Sequence, residues 1–224
     1  MTSEVAEFIV ITIDGGAGTG TTTLAKSMAR HLGWSYLNTG HLYRSVAWLV
    51  RQQGISAHDE SAVTSVAESI DFEFNGGSVS RVNGHQISEA TLASMSDLVP
   101  HIAHYPGVRK YIREWQQKFA SGNHCIIEGR DLGSVVFPEA PFKIYLECDD
   151  KERAKRRSNQ LDRIVTVEDL LERDRLDAER EESPMIKPDG AYVLNTTETS
   201  IPELVNAVEV FMRGVPEIRA VICG

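Results

Sequence analysis

Apolar residues along this chain alternate between two textures. Short, nearly continuous runs, Phe8-Ile9-Val10-Ile11-Thr12-Ile13, His124 to Glu128 and Phe142 to Glu147, read as buried strands. Between them apolar positions recur every three or four residues, as in Leu24, Ala25, Met28, Ala29 and Leu32 before Gly33, which predicts helices. Trp34-Ser35-Tyr36-Leu37 reads as a second strand, His41 to Gln53 and Glu60 to Ser69 as helices. The texture then changes. Ile70-Asp71-Phe72-Glu73-Phe74, Val79 to Val82 and His85-Gln86-Ile87 are short segments divided by Asn75-Gly76-Gly77 and Asn83-Gly84, the pattern of a small antiparallel meander. Helical texture returns over Ser88 to His104, interrupted at Pro100, and over Val108 to Phe119. Asp150 to Gln160 and Thr166 to Glu182 are highly charged helices, and Thr166 with Asp169 resembles a capping box. Tyr192 to Leu194 is the last strand, and Ser200-Ile201-Pro202-Glu203 opens a helix that Gly214 ends. Strands alternating with helices predict an α/β chain, a parallel sheet flanked by helices with a small antiparallel β insertion.

Between the first strand and the first helix lies Asp14-Gly15-Gly16-Ala17-Gly18-Thr19-Gly20-Thr21-Thr22-Thr23. Strand, glycine-rich turn and helix start, in that order, make a phosphate cradle. Backbone N–H groups point into the loop and the helix N-terminus adds partial positive charge. Gly15 and Gly20 stand where the G-x-x-x-x-G-K-[ST] pattern has its glycines, and Thr22 holds the hydroxyl position that meets Mg²⁺. The lysine of that pattern is absent, and Thr21 takes its place. An ammonium at the β/γ-phosphates is a large charge to lose, so phosphoryl transfer requires a replacement.

Length, 224 residues, suits one elaborated domain, and a net charge of −9 excludes a nucleic-acid binder that works through overall positive charge. Cys125, Cys148 and Cys223 have no metal or disulfide spacing, and the histidines show none either. Met1 to Glu7 lacks the basic start and apolar core of a signal peptide, and no apolar run is long enough to span a bilayer. These features predict a cytoplasmic protein.

In parallel sheets ligands gather at the carboxyl ends of strands, where Asp14 and Glu128 both fall. Either carboxylate can hold Mg²⁺, directly or through water; the alternative is an ordinary loop carboxylate. Arg130 and Asp131 follow at once, one suited to a phosphate and the other to an exocyclic amine or a hydroxyl. Arg173, Asp177 and Arg180 share one helix face by spacing, an arrangement that suits a phosphosugar as well as it suits intrahelical pairing. Arg153, Arg156 and Arg157 form a second basic stripe with the same two readings.

Taken together, these residues resemble a cytidylate kinase of the nucleoside monophosphate kinase group. The resemblance runs from Ile9 to about Phe211 and rests on Ile11 to Gly15, Leu37-Asn38-Thr39-Gly40-His41-Leu42-Tyr43-Arg44, Glu128-Gly129-Arg130-Asp131-Leu132-Gly133, Val135 to Pro141, and Arg173-Asp174 through Arg180. It implies transfer of the ATP γ-phosphoryl group, with Mg²⁺, to CMP or dCMP by a monomer. One domain would comprise a core (about 1–38, 121–150 and 183–224), an acceptor-nucleotide insertion (about 39–120) and a helical lid (about 151–182). The loop from Gly15 through Gly16, Ala17, Gly18, Thr19, Gly20, Thr21 and Thr22 to Thr23 would bind ATP, with Thr22, Asp14 and Glu128 at the metal. Thr39 and Arg44 would touch the acceptor, Arg109 and Asp131 read the cytosine edge, Arg130 and Arg180 bind the acceptor phosphate, and Arg173 and Asp177 meet the ribose. Arg153 and Arg157, with Arg130 as the third catalytic residue, would close on the donor phosphates, and Asn195-Thr196-Thr197 would lie near the adenine.

Three departures from the family pattern matter: Thr21 for the lysine, Pro100 where a base-contacting serine is common, and a shorter lid. A branch of the family carries a similar Gly-Thr-Thr-Thr loop. The expectation is that Arg153 and Arg157 supply the charge Thr21 lacks, with Lys26 one further candidate along the helix. The rival readings are a nucleotide-binding regulatory module without activity and a kinase for another small acceptor.

Overall fold

The computed structural model describes residues 8–222, so the expectations for Met1 to Glu7 and Cys223 lie outside the described residues. Strands β1 (Val10–Gly15), β2 (Ser35–Asn38), β6 (Cys125–Gly129), β7 (Phe142–Glu147) and β8 (Tyr192–Asn195) form one sheet in the order β2-β6-β1-β7-β8. Every pair in it is parallel. Its central strands are apolar on both faces because helices cover both. Leu24 and Met28 of α1 (Thr21–Leu32) and Leu204, Val208 and Met212 of α9 (Ile201–Met212) pack with Ile11, Ile13 and Ile144.

A second apolar cluster joins Leu37 and Ile127 to α2 (Thr39–Gln52), α3 (Glu60–Glu68) and α6 (Pro106–Ala120). It extends to the expected meander, β3 (Phe72–Asn75), β4 (Ser78–Val82) and β5 (His85–Gln86), which is an antiparallel sheet in that order. The turn signals hold, with Gly76, Gly77, Asn83 and Gly84 all at positive φ.

Several boundaries differ from the sequence reading. Helix α2 starts at Thr39, before His41, because the Asn38 side chain caps it by accepting from the His41 amide. The stretch 88–104 is two short helices, α4 (Glu89–Ala93) and α5 (Val99–Ile102). Pro100 does not interrupt helix there; it sits in the first turn of α5, where a missing N–H costs nothing. After α7 (Asp150–Leu161), helix α8 (Val167–Ala178) keeps the Thr166/Asp169 capping box but stops short of Glu182, since the chain folds back and the Met185 amide donates to the Asp177 carbonyl. A π-helical turn at Leu132–Val136 and a final helix, α10 (Pro216–Ile222), were not anticipated.

Candidate active site

Parallel alignment brings the carboxyl ends of β1, β2 and β6 together under a cavity of about 450 Å³. Gly15, Gly16, Ala17 and Gly18 form part of its floor with Thr21 and Thr22 at the start of α1. The carbonyls of this loop are tied outward. Gly16 O accepts from the Thr19 hydroxyl (2.8 Å), Ala17 O from Arg153 Nε (2.9 Å) and Thr19 O from the Thr196 hydroxyl (2.7 Å). The first amides of α1 have no partner within the helix, which leaves an anion-binding N-terminus facing the cavity.

Two carboxylates leave neighbouring strands with different fates. Glu128 lines the cavity and accepts hydroxyl donors from Thr21 and Thr22, both at 2.8 Å, and from Tyr36 at 3.3 Å. Asp14 does not face the cavity. It is fully buried, and its two oxygens accept the Leu132 and Gly133 amides at 2.9 and 2.8 Å, so it supports the π-helical turn. Burial outweighs those bonds and pushes its pKa up to about 7. The expectation of Asp14 at a metal is corrected accordingly. Thr22 and Glu128 present a hydroxyl and a carboxylate side by side, hard oxygen donors that fit a Mg²⁺ ion keeping several of its waters.

The opposite walls carry arginines. Arg130 follows β6 directly, and Arg44 comes from α2, where its Nε donates to the Gly40 carbonyl. Arg157 of α7, Arg173 of α8 and Arg180 complete the group. Burial, reinforced by neighbouring guanidiniums, lowers the pKa of all five, Arg157 to about 10 and Arg173 and Arg180 to about 9. Arg44 and Arg157 have no carboxylate within ion-pair range among the described residues; Arg157 donates only to Gln160.

Asp177 is the counter-ion for the remainder. Arg173 and Asp177 share one face of α8 as their spacing predicts, but Arg180 lies past the helix end at Ala178; Asp177 is completely buried and pairs with Arg130, Arg173 and Arg180 together. It therefore does not face the cavity as a ribose contact would. Nor does Arg153, expected at the donor phosphates. It lies against the loop but does not line the cavity, with Nε on Ala17 O, Nη1 on Asp150 (2.8 Å) and Nη2 on Asp174. Lys26 is turned away, paired with Glu89 at 3.4 Å on the surface. Arg156, grouped with Arg153 and Arg157 by sequence, holds the Thr196 and Thr197 carbonyls. One basic stripe thus divides among three tasks.

At the far end Arg109, buried, donates to Asp131 (2.5 Å) and to the Ala103 carbonyl (2.9 Å) and lies over the Tyr43 ring. Its buried Nε has no partner among the described residues. Thr39, at the first turn of α2, lines the cavity and donates to the Glu128 carbonyl. Tyr43, Ser96 and Arg163 also line it and were not singled out by sequence. Ser96 carries a buried hydroxyl without a partner among the described residues, and no spacing rule points to it.

A glycine loop on a parallel sheet, facing a wall of arginines, defines a P-loop phosphoryl-transfer fold. Comparison narrows the class. The cytidylate kinase family model matches residues 11–213, and the chain belongs to that family. It is 38% identical over 214 residues to a cytidylate kinase of Bordetella bronchiseptica, covering 91% of this chain and 95% of that one. It is 35% identical over 222 residues to a bifunctional pantoate ligase/cytidylate kinase of Prochlorococcus marinus, where the match covers 93% of this chain but spans only 44% of the relative. An uncharacterized protein from Eubacterium ventriosum, 12% identical, superposes with a TM-score of 0.50 over 91% of this chain and 97% of its own, which shows a shared fold alone.

Proposed function

We infer that the protein is an active cytidylate kinase that moves the γ-phosphoryl group of ATP to CMP or dCMP, giving ADP and CDP or dCDP. One observation carries the reading: the phosphate cradle and five arginines share a single cavity, two of them without a carboxylate partner among the described residues. A surplus of half-buried positive charge facing a phosphate loop suits two polyanions laid end to end. A module that only senses ATP has no use for the acceptor-side arginines. Both walls belong to one chain, so the reading needs no second copy.

In this reading the donor phosphates lie on the amides of residues 15–22, and Arg157, with Arg130, faces the phosphoryl group in flight. Phosphoryl transfer of this kind depends on alignment and charge more than on covalent help. Thr22 and Glu128 would hold Mg²⁺, which when bound offsets charge on the phosphate oxygens. Arg44 and Arg180 hold the acceptor phosphate, with Arg173 on the ribose side and Asp177 keeping that arginine set in place. Cytosine presents an N4 amine to an acceptor and N3 and O2 to donors, which matches Asp131 beside Arg109. Thr39 lies beside the acceptor, and 195–197 beside the adenine.

The test is ADP release in a coupled assay with ATP and each nucleoside monophosphate in turn. CMP and dCMP are expected to stimulate release well above AMP and GMP. Equal rates for every base would remove the cytosine assignment. ATP binding without any acceptor-stimulated release would establish the regulatory module instead.

A further inference from the structure

The loop between β1 and α1 lacks the lysine that normally crosses it, and nothing else on α1 reaches over it, since Lys26 pairs with Glu89. A glycine-rich loop without that tie needs bracing from elsewhere if its amides are to converge on a phosphate. The structure provides a brace from α7. Arg153 is almost completely buried, and its guanidinium spans three acceptors on three elements: the Ala17 carbonyl in the loop, Asp150 on α7 and Asp174 on α8.

The loop is shaped to receive it. A Cβ on Gly16 would come within 2.5 Å of Arg153 Nη2 and 2.9 Å of Asp174 Oδ2. A Cβ on Gly18 would come within 2.6 Å of the Arg153 carbonyl oxygen, and Gly18 already has a φ of 78° that disfavours any side chain. Asp174 extends the connection, because its other oxygen receives Arg130, which does line the cavity. One chain of contacts thus runs from loop carbonyl through Arg153 and Asp174 to the arginine at the reaction centre.

We propose that Arg153 is a positioning residue that substitutes for the missing lysine mechanically: it fixes the lysine-free loop from outside the cavity, through Ala17, and orients Arg130 through Asp174. The proposal deepens the kinase reading and rests on it for the identity of the donor. It also separates two arginines that sequence alone treats alike, since Arg157 faces the cavity and Arg153 does not.

The measurement is ADP affinity by titration calorimetry in Mg²⁺ buffer, alongside steady-state turnover with CMP. Loss of one charge-assisted hydrogen bond to the loop predicts that Arg153→Ala weakens ADP binding about tenfold. Turnover at saturating ATP is expected to fall less than affinity does, and CMP affinity to stay unchanged. Arg153→Lys, which can satisfy Ala17 or Asp174 but cannot span all three acceptors, should fall between. Gly16→Ala, which crowds the guanidinium and the Asp174 carboxylate, should weaken ADP binding, and by clearly less once Arg153 is alanine. Unchanged ADP affinity in Arg153→Ala overturns the proposal, as does a Gly16→Ala cost that is equal in both backgrounds. A wild-type protein that binds ADP but ignores CMP removes the acceptor reading and leaves the brace standing; one that binds no ADP overturns both.

Discussion

The two walls of the cavity are made of different material. The floor is mostly backbone: loop residues 15–18, helix-end amides and strand ends whose positions follow from β1 pairing with β6 and β7. The roof is long side chains, Arg157 and Arg173 carried on α7 and α8, elements whose own apolar contribution is small. A backbone floor can lose a side chain, as at position 21, and still present its amides. A side-chain roof has no such reserve, because each guanidinium is one substitution from absence.

The largest separation between the walls is expected at Arg157. It makes no ion pair among the described residues, so Arg157→Ala should leave the unfolding midpoint nearly unchanged while turnover falls about a hundredfold, the size seen when one preorganised charge donor to a transition state is removed. A change in ATP affinity with turnover intact would put Arg157 outside the chemistry. Stopped-flow product formation separates the two.

A smaller effect, on stability alone, is expected beneath the floor. Asp14 has its pKa raised from 3.8 to about 7, so the folded state favours its neutral form. Its contribution is then fully present below about pH 4 and is lost as pH rises through about 7. Asp14→Asn keeps a carbonyl for one amide and removes the titration, so urea midpoints between pH 4 and 8 should depend less on pH than in the wild type. The magnesium concentration giving half-maximal rate should not move; a large shift there would return Asp14 to the metal. Smallest of all is Lys26→Ala. This exposed pair with Glu89 should be worth less than about 0.5 kcal/mol in urea unfolding, with no change in turnover.

How far the sequence could be read depended on range. Strands inside the sheet announce themselves because burial on both faces demands unbroken apolar runs, and the Asn-Gly turns mark the meander by local conformation. The glycine loop and the Thr166 cap are local as well. The π-helical turn was missed because its support, Asp14, lies on β1, far away in sequence. Arg153 and Arg157 share a helix and a charge, and only the packing of α7 against the loop tells them apart. The same limit applies to Asp177, whose spacing gave its face while Arg130, arriving from another element, gave its role.

The trio of hydroxyls on Glu128 has a consequence for anyone surveying nucleotide sites chemically. Acyl-phosphate nucleotide probes tag proteins by transferring their label to an amine held against the phosphates. Position 21 offers an alcohol that donates to Glu128, and no lysine among the described residues lines the cavity. Such reagents would pass this pocket by, and a silent result with them carries no information about whether the pocket is filled.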